Sequence, residues 1–359
     1  MKRIYNFSAG PAILPEEVLQ QASAGVLEID GTGMSILEVS HRGPNYEAIH
    51  HDAENRLLSI LGLSSNEWQP IFLGGGASLQ FAMLPMNFLS SNQTADYVNT
   101  GEWSTKAIKE AKRYGKVNIA ASSEGNKFAS IPTEFNLTPD AAYLHITTNN
   151  TIEGTEWPAL PSAGKAPLIA DCSSDIFARD IPYDRFHMLY AGAQKNAGPA
   201  GLTIVLVRKD FLESANADVP TMLSYKTHAG AGSLYNTPPV FSIFVFDLVL
   251  KWIEERGGLE NMDRCNRRKA GLIYEALDEF PDVYDPAVTN KADRSLMNVT
   301  FRLKDKGREA EFLAGAQLRE MDGLKGHRSV GGFRASIYNA FPETGCAALA
   351  AYLREFAVS

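Results

Sequence analysis

Short apolar runs of β type alternate along this chain with helix-patterned segments, and each run ends in a polar or glycine-rich cluster. "QPIFLGGGASLQF" reads as strand, glycine turn and helix. "ADYVNTGEWSTKAIKEAKRYG" repeats that order, with helical spacing through Ala107, Ile108, Ala111 and Tyr114. "AAYLHITTNNT" and "APLIADCSSD" are further short strands, and "FHMLYAGAQKNAGPAGLTIVLV" places two strand-like runs on either side of Lys195. Strands alternating with helices imply an α/β fold whose sheet is mostly parallel and covered on both faces. Ligands gather beyond the carboxyl ends of the strands in such sheets. The clusters at those ends run from Gly74 to Ser78, Asn99 to Trp103, Thr147 to Thr151 and Asp171 to Ser174, and then to Gln194-Lys195.

The order of elements gives a domain plan. Residues 1–15, with "YNFSAGPAILP", are expected as an extended segment near the active site. Pro15-Glu16-Glu17 then reads as a helix start with acid in its first turn. Residues 16–258 form the large domain, and residues 259–359 a smaller C-terminal α/β domain. The smaller one carries helix "MDRCNRRKAGLIYEALDEF", strand "LMNVTFRL", helix "REAEFLAGAQLREM" and strand "FRASIYNAF".

Composition narrows the function classes. A net charge of −8 over 359 residues opposes nucleic acid as the main partner. Arg264, Arg267, Arg268 and Lys269 make the densest basic run, which reads as a solvated helix face. Cys172, Cys265 and Cys346 are widely spaced and match no metal pattern, so no metal is expected and the cysteines fit a reducing cytoplasm. The Asn-x-Ser/Thr matches, such as Asn298-Val-Thr300, carry no weight without secretion. No signal peptide shows in "MKRIYNFSAGPAILP". "VFSIFVFDLVLKWI" is too short to span a bilayer and holds Asp247 and Lys251, so it reads as a buried helix and no membrane partner is expected.

The clusters differ in chemistry. "GGGASLQF" puts glycines before a helix, where free N–H groups, the helix dipole and the Ser78 hydroxyl suit an anion such as phosphate. It lacks the lysine of a P-loop and the spacing of a dinucleotide fold. Asp171 closes an apolar strand, where a carboxylate either caps a turn or meets a cation such as a pyridinium nitrogen. Trp103 either fills core or stacks on a flat ring. Lys195, set among apolar runs, either reaches solvent or is a nucleophilic amine able to form a Schiff base. A phosphate cup, an aromatic, a carboxylate and a lysine, all past strand ends, together describe a pyridoxal phosphate site.

"YAGAQKNAGPAGLTIV", "EVSHRG", "YNTPP" at 235–239 and "LKGHRSVGGFRASIYNA" at 324–340 resemble the phosphoserine aminotransferases of the class V aminotransferase family. The match runs from "NFSAGPAILP" almost to the C-terminus. The resemblance implies a fold type I pyridoxal 5'-phosphate enzyme with one cofactor per subunit, in a homodimer that shares its active sites. By position, Lys195 would carry the Schiff base and Asp171 would partner the ring nitrogen. Trp103 would stack on the ring, and Thr151 and Gln194 would hydrogen-bond its substituents or phosphate. Gly76, Ala77 and Ser78 would hold that phosphate, joined by Asn236 and Thr237 from the second subunit. Arg334 would take the substrate α-carboxylate. His41 and Arg42, with His327 and Arg328, would take the distal anion.

The implied reaction is reversible transamination between L-glutamate and 3-phosphohydroxypyruvate, giving 2-oxoglutarate and O-phospho-L-serine for serine biosynthesis. One departure stands out: some members carry an arginine in the glycine turn where this chain has Ala77-Ser78. An alanine–glyoxylate aminotransferase is the nearest alternative within the fold. A cysteine desulfurase needs a mobile nucleophilic cysteine, and Cys172 and Cys346 look unsuited to that. A nucleotide-binding module using the glycine turn is an alternative of another class.

Overall fold

The computed structural model describes residues 3–359, so Met1 and Lys2 of the expected N-terminal segment lie outside the described residues. Its strands, in chain order, are β1 Tyr5–Asn6, β2 Trp68–Leu73, β3 Thr94–Asn99, β4 Lys116–Ser122, β5 Leu144–Thr147, β6 Leu168–Asp171, β7 Met188–Gly192 and β8 Thr203–Arg208. They continue as β9 Tyr284–Pro286, β10 Asn298–Leu303, β11 Met321–Asp322 and β12 Phe333–Ser336.

Seven of these form the main sheet, in the order β2-β8-β7-β6-β5-β3-β4. β8 is antiparallel to both neighbours, while the other pairings are parallel. The sheet is therefore mostly parallel, and the ends of β2, β3, β5, β6 and β7 share one edge. β5, β6 and β7 are buried along their whole length, as continuous apolar runs covered on both faces must be. Alternate side chains serve different cores. Ile71 and Leu73 pack with Phe81, Ile108 and Tyr190 on one face, while Phe72 packs with Leu57, Phe246 and Val249 on the other.

Helices Gly76–Phe88 and Glu102–Ala111 cover the first face; helices Pro44–Ile60 and Val240–Glu255 lie over the second. The last of these is the apolar stretch read as a buried helix. Its Asp247 is matched by Arg56 at 3.2 Å across the helix pair, and the same guanidinium pairs with Glu254 further along the helix, so these two acids share a counter-ion. No helix among the described residues is long and apolar enough to cross a membrane.

The C-terminal part builds a separate core on the antiparallel sheet β12-β10-β9, packed by helices Gly258–Glu279, Glu309–Leu318 and Glu343–Val358. Phe7 and Ile13 join this core, and β1 pairs in parallel with β11, so the start of the chain is fastened to nearly its end. A buried polar seam links the two sheets: Asn149 Nδ2 donates to Ser174 Oγ and to Asn298 Oδ1, both at 2.8 Å.

One expectation needs correcting. Arg264, Arg267 and Arg268 are exposed on helix Gly258–Glu279, as a solvated face requires, but Lys269 is only 3% exposed. The face it shares with Met262, Asn266, Ala270 and Ile273 turns inward. Lys269 Nζ donates to the main-chain oxygens of Ile337 at 3.0 Å, Tyr338 at 2.7 Å, Asn339 at 3.4 Å and Phe341 at 3.2 Å.

Candidate active site

A cavity of about 370 Å³ opens where the carboxyl ends of β2, β3, β5, β6 and β7 meet the small sheet, a size ordinary for a small-molecule site. Gly75, Gly76, Ala77 and Ser78 form one wall. Gly75 precedes helix Gly76–Phe88 with φ +85°, which lets the chain turn sharply from β2 into the helix. The first-turn N–H groups of such a helix have no partner within it, so this wall is a cradle for an anion.

Trp103 enters from the first turn of helix Glu102–Ala111. Its ring centroid is 5.4 Å from Lys195 Nζ, and its Nε1 is buried without a protein partner. The ring thus faces the cavity as well as leaning on the core. Asp171, the last residue of β6, is 4% exposed, and its Oδ1 accepts the Ser173 N–H at 2.9 Å. Burial pushes the Asp171 carboxyl up, against the nearby positive charge of Lys195.

Lys195 lies in the turn between β7 and β8. Its Nζ donates to Thr151 Oγ1 at 2.7 Å. Burial pushes its ammonium down to about 8, Arg334 adding to the effect and Asp171 opposing it. An amine so displaced supplies far more of its neutral, nucleophilic form near neutrality than a solvated lysine does. Opposite, Arg334 reaches in from β12: its Nη1 donates to the Thr151 main-chain oxygen at 3.2 Å, while its Nε is buried with no protein partner. Thr151 therefore touches the two facing cations through different oxygens.

Gly76, Ala77, Ser78, Trp103, Thr151, Asp171, Gln194, Lys195, His327 and Arg334 all line the cavity. Arg328 is exposed next to His327 and does not line it. Nor do Asn236 and Thr237, exposed before helix Val240–Glu255, or His41 and Arg42, where Arg42 Nε donates to His41 Nε2 at 3.3 Å. The cavity also takes Ala9, Gly10, Gly75, Ile152 and Ser173. Gly75 and Ser173 stand inside clusters already marked by the strand ends. Ala9 and Gly10 belong to the opening segment expected near the site; the β1–β11 pairing and the Tyr338 hydroxyl, which donates to the Ala9 main-chain oxygen at 2.8 Å, hold them there.

The cysteines have no part in this site. Cys172 and Cys346 are buried, and burial pushes both thiols up, Cys346 to about 12. No cluster of metal-binding side chains occurs among the described residues. What the cavity can hold is a planar group with an anionic arm: a cradle for the arm, an aromatic for the face, a buried carboxylate for a cationic ring atom, and an amine for a carbonyl carbon. The unpartnered Trp103 and Arg334 nitrogens point to a ligand that completes the set.

The comparisons agree with this chemistry. A phosphoserine aminotransferase of Desulfosudis oleivorans is 53% identical over 357 residues, covering 99% of this chain and 98% of that protein. The structure of phosphoserine aminotransferase from Bacillus circulans subsp. alkalophilus superposes with a TM-score of 0.97 at 50% identity, covering 100% of this chain and 99% of the other. A pyridoxal phosphate-bound phosphoserine aminotransferase from Trichomonas vaginalis gives a TM-score of 0.92 at 38% identity, covering 98% of this chain and 100% of the other. With the model of class-V aminotransferases matching residues 4–349, the chain belongs to the class-V aminotransferase family.

Proposed function

We propose that the residues gathered around Lys195 carry out the transamination of 3-phosphohydroxypyruvate with L-glutamate, giving O-phospho-L-serine and 2-oxoglutarate in serine biosynthesis. That reaction is the one performed by full-length relatives about half identical to this chain, and pyridoxal phosphate is its cofactor. The observation that carries the residue roles is Lys195 itself, a displaced amine on a single hydroxyl, between a buried carboxylate and an aromatic face.

Pyridoxal phosphate, when bound, supplies a carbonyl that takes up the amino group and a ring that accepts an electron pair. The chain's residues do the rest. The N–H groups of Gly76, Ala77 and Ser78 hold the phosphate, with Gln194 and, from a second subunit, Asn236 and Thr237. Trp103 lies against the ring and keeps water from that face. Asp171 holds a proton at the ring nitrogen, and Ser173 fixes the carboxylate that does so. Lys195 would hold the carbonyl carbon at rest, and its amine, once displaced by the substrate's, would take up the substrate α-proton and give it back. Thr151 keeps that amine on station.

Arg334 binds the α-carboxylate common to both substrates, using the guanidinium edge that the protein leaves unpaired. His327, whose imidazole is pushed below its usual range by burial and by Arg334, meets the distal anion as a neutral donor, with Arg328 supplying charge, and His41 and Arg42 adding a hydrogen-bonding group and a further charge. The last two would come from the partner of a homodimer. Ala77 and Ser78 give the glycine turn no cation of its own, which shifts that task to these residues. We also infer a cytoplasmic enzyme, and a division of the chain at residue 258.

The visible absorption spectrum of the purified holoenzyme tests this. The expected band fades on adding glutamate and returns with 3-phosphohydroxypyruvate. Fading with alanine and not with glutamate would replace the reading by an alanine-dependent aminotransferase.

A further inference from the structure

Glu153 sits two residues beyond Thr151, and no step above uses it. Its side chain is 7% exposed. Oε1 accepts the Glu102 N–H at 2.8 Å and so caps the helix that presents Trp103. Oε2 is buried with no protein partner. The Glu153 main-chain oxygen accepts Thr300 Oγ1 at 2.7 Å, which ties the residue to β10 of the small sheet. Gly101 keeps the space open: a Cβ there would stand 2.5 Å from Glu153 Oε2.

Charged groups face this carboxyl from every side. Glu102 approaches from the Trp103 helix, Arg334 from β12 and Lys195 from the β7–β8 turn. A second cleft behind it is lined by Glu124, Lys127, Asp285, Arg302, Lys304 and Lys306. Burial pushes the Glu153 carboxyl up to about 7; Glu102 adds to the rise, and the Glu102 N–H and Arg334 oppose it. Arg334 favours the ionised form of Glu153 through its charge alone, and less than the Glu102 N–H does, from a position where its own Nε is still unpaired.

We propose that Glu153 is a positioning residue whose proton is coupled to the filling of the Arg334 pocket. The inference rests on the reading of Arg334 as the substrate-carboxylate site. An arriving carboxylate takes up the guanidinium's charge and adds a negative charge to that of Glu102, so an ionised Glu153 loses part of its support and binds a proton more readily. Oε1 accepts the Glu102 N–H in either state, so the Trp103 helix stays capped and the change is one of charge. Linkage is reciprocal: substrate must bind more tightly to the enzyme with Glu153 protonated, and this advantage is lost as pH rises through the Glu153 titration.

Steady-state KM for glutamate, measured on wild type and Glu153→Gln holoenzymes between pH 6 and 9, tests the coupling. Taking the ratio of wild type to variant removes what the two holoenzymes share, and Lys195, bonded to the cofactor at rest in the proposed reading, adds no free-amine titration. The ratio is expected near one at pH 6 and about five at pH 9, within the tenfold limit of a one-unit pKa displacement. A ratio independent of pH overturns the proposal. If the variant does not fold, infrared difference spectra of the wild-type holoenzyme at pH 7.5 replace it. Added glutarate should increase the carbonyl band of a protonated carboxyl group, and an unchanged band overturns the coupling. Arg334→Lys separates the two levels. An unaltered KM for glutamate would remove the carboxylate reading and the proposal with it, whereas a raised KM beside a flat Glu153 ratio would remove the coupling alone.

Discussion

Lys269 is buried and Lys195 half-buried at its cavity, and desolvation pushes both down to about 8. Their surroundings differ. Lys269 is enclosed by four main-chain oxygens gathered where β12 gives way to the loop before the last helix, so every N–H of its amine has an acceptor. Lys195 has one recorded acceptor, the Thr151 hydroxyl, and a cavity in front of it. A displaced pKa marks desolvation in both cases. Chemistry needs in addition an amine with unused hydrogen-bonding capacity, room for a carbonyl carbon, and a carboxylate such as Asp171 nearby. Lys269 is a structural clamp on the chain after β12, while Lys195 keeps the room and the unused hydrogen-bonding capacity that its proposed role requires.

Substitution separates the pair. Lys195→Ala is expected to lower kcat by at least about 10³-fold, the range for loss of a positioned base, with the midpoint of urea unfolding little changed. An alanine variant that kept a tenth of the activity would erase the distinction. Lys269→Met is expected to do the reverse. Four carbonyl groups lose their common donor, for a destabilisation of about 3 kcal/mol in urea titration, while kcat stays within about twofold. The pH dependence sharpens this. Lys269 binds its proton less readily folded than unfolded, so wild type should gain on Lys269→Met as pH climbs from about 8 toward 10.5, where the unfolded chain alone retains the proton. A loss over that window would mean that the carbonyl cage holds the charged amine better than burial opposes it. The smallest expected effect is at the other cation of the cavity. Arg334→Lys should raise KM for both substrates about tenfold at little cost in kcat, since an ammonium cannot reproduce the two-pronged grip of a guanidinium.

The same two lysines show where sequence reading succeeds. Lys195 was legible because the strand–helix alternation puts it past a strand end, in register with Asp171, Trp103 and the glycine turn; the edge of a parallel sheet collects such residues whatever the loops do. Lys269 was misread because three arginines stand beside it in sequence. Its helical partners Met262, Asn266, Ala270 and Ile273 do mark the inward face, so spacing held the correction that local charge concealed. Glu153 was out of reach for another reason. Its meaning comes from the Glu102 N–H, on an element fifty residues upstream in the chain, and from Arg334 on another sheet. Ala9 and Gly10 fall in the opening segment expected near the site, but which of its residues reach the cavity was out of reach, because a two-residue pairing with Met321–Asp322 leaves no periodicity to read. The main sheet and the centre of the site thus follow from local pattern. What closes over them depends on contacts between distant segments.

That last pairing has a consequence in the order of synthesis. Tyr5–Asn6 leaves the ribosome long before its partner strand Met321–Asp322, and Ala9 and Gly10 take their places over Lys195 through that same segment. The main sheet can form while the small domain is still being made, as domains commonly fold in the order of their emergence. The wall contributed by the chain's opening must wait. A newborn molecule therefore holds its lysine, aspartate and anion cradle in place with one side open, and a segment made before the main sheet finds its native neighbours after it.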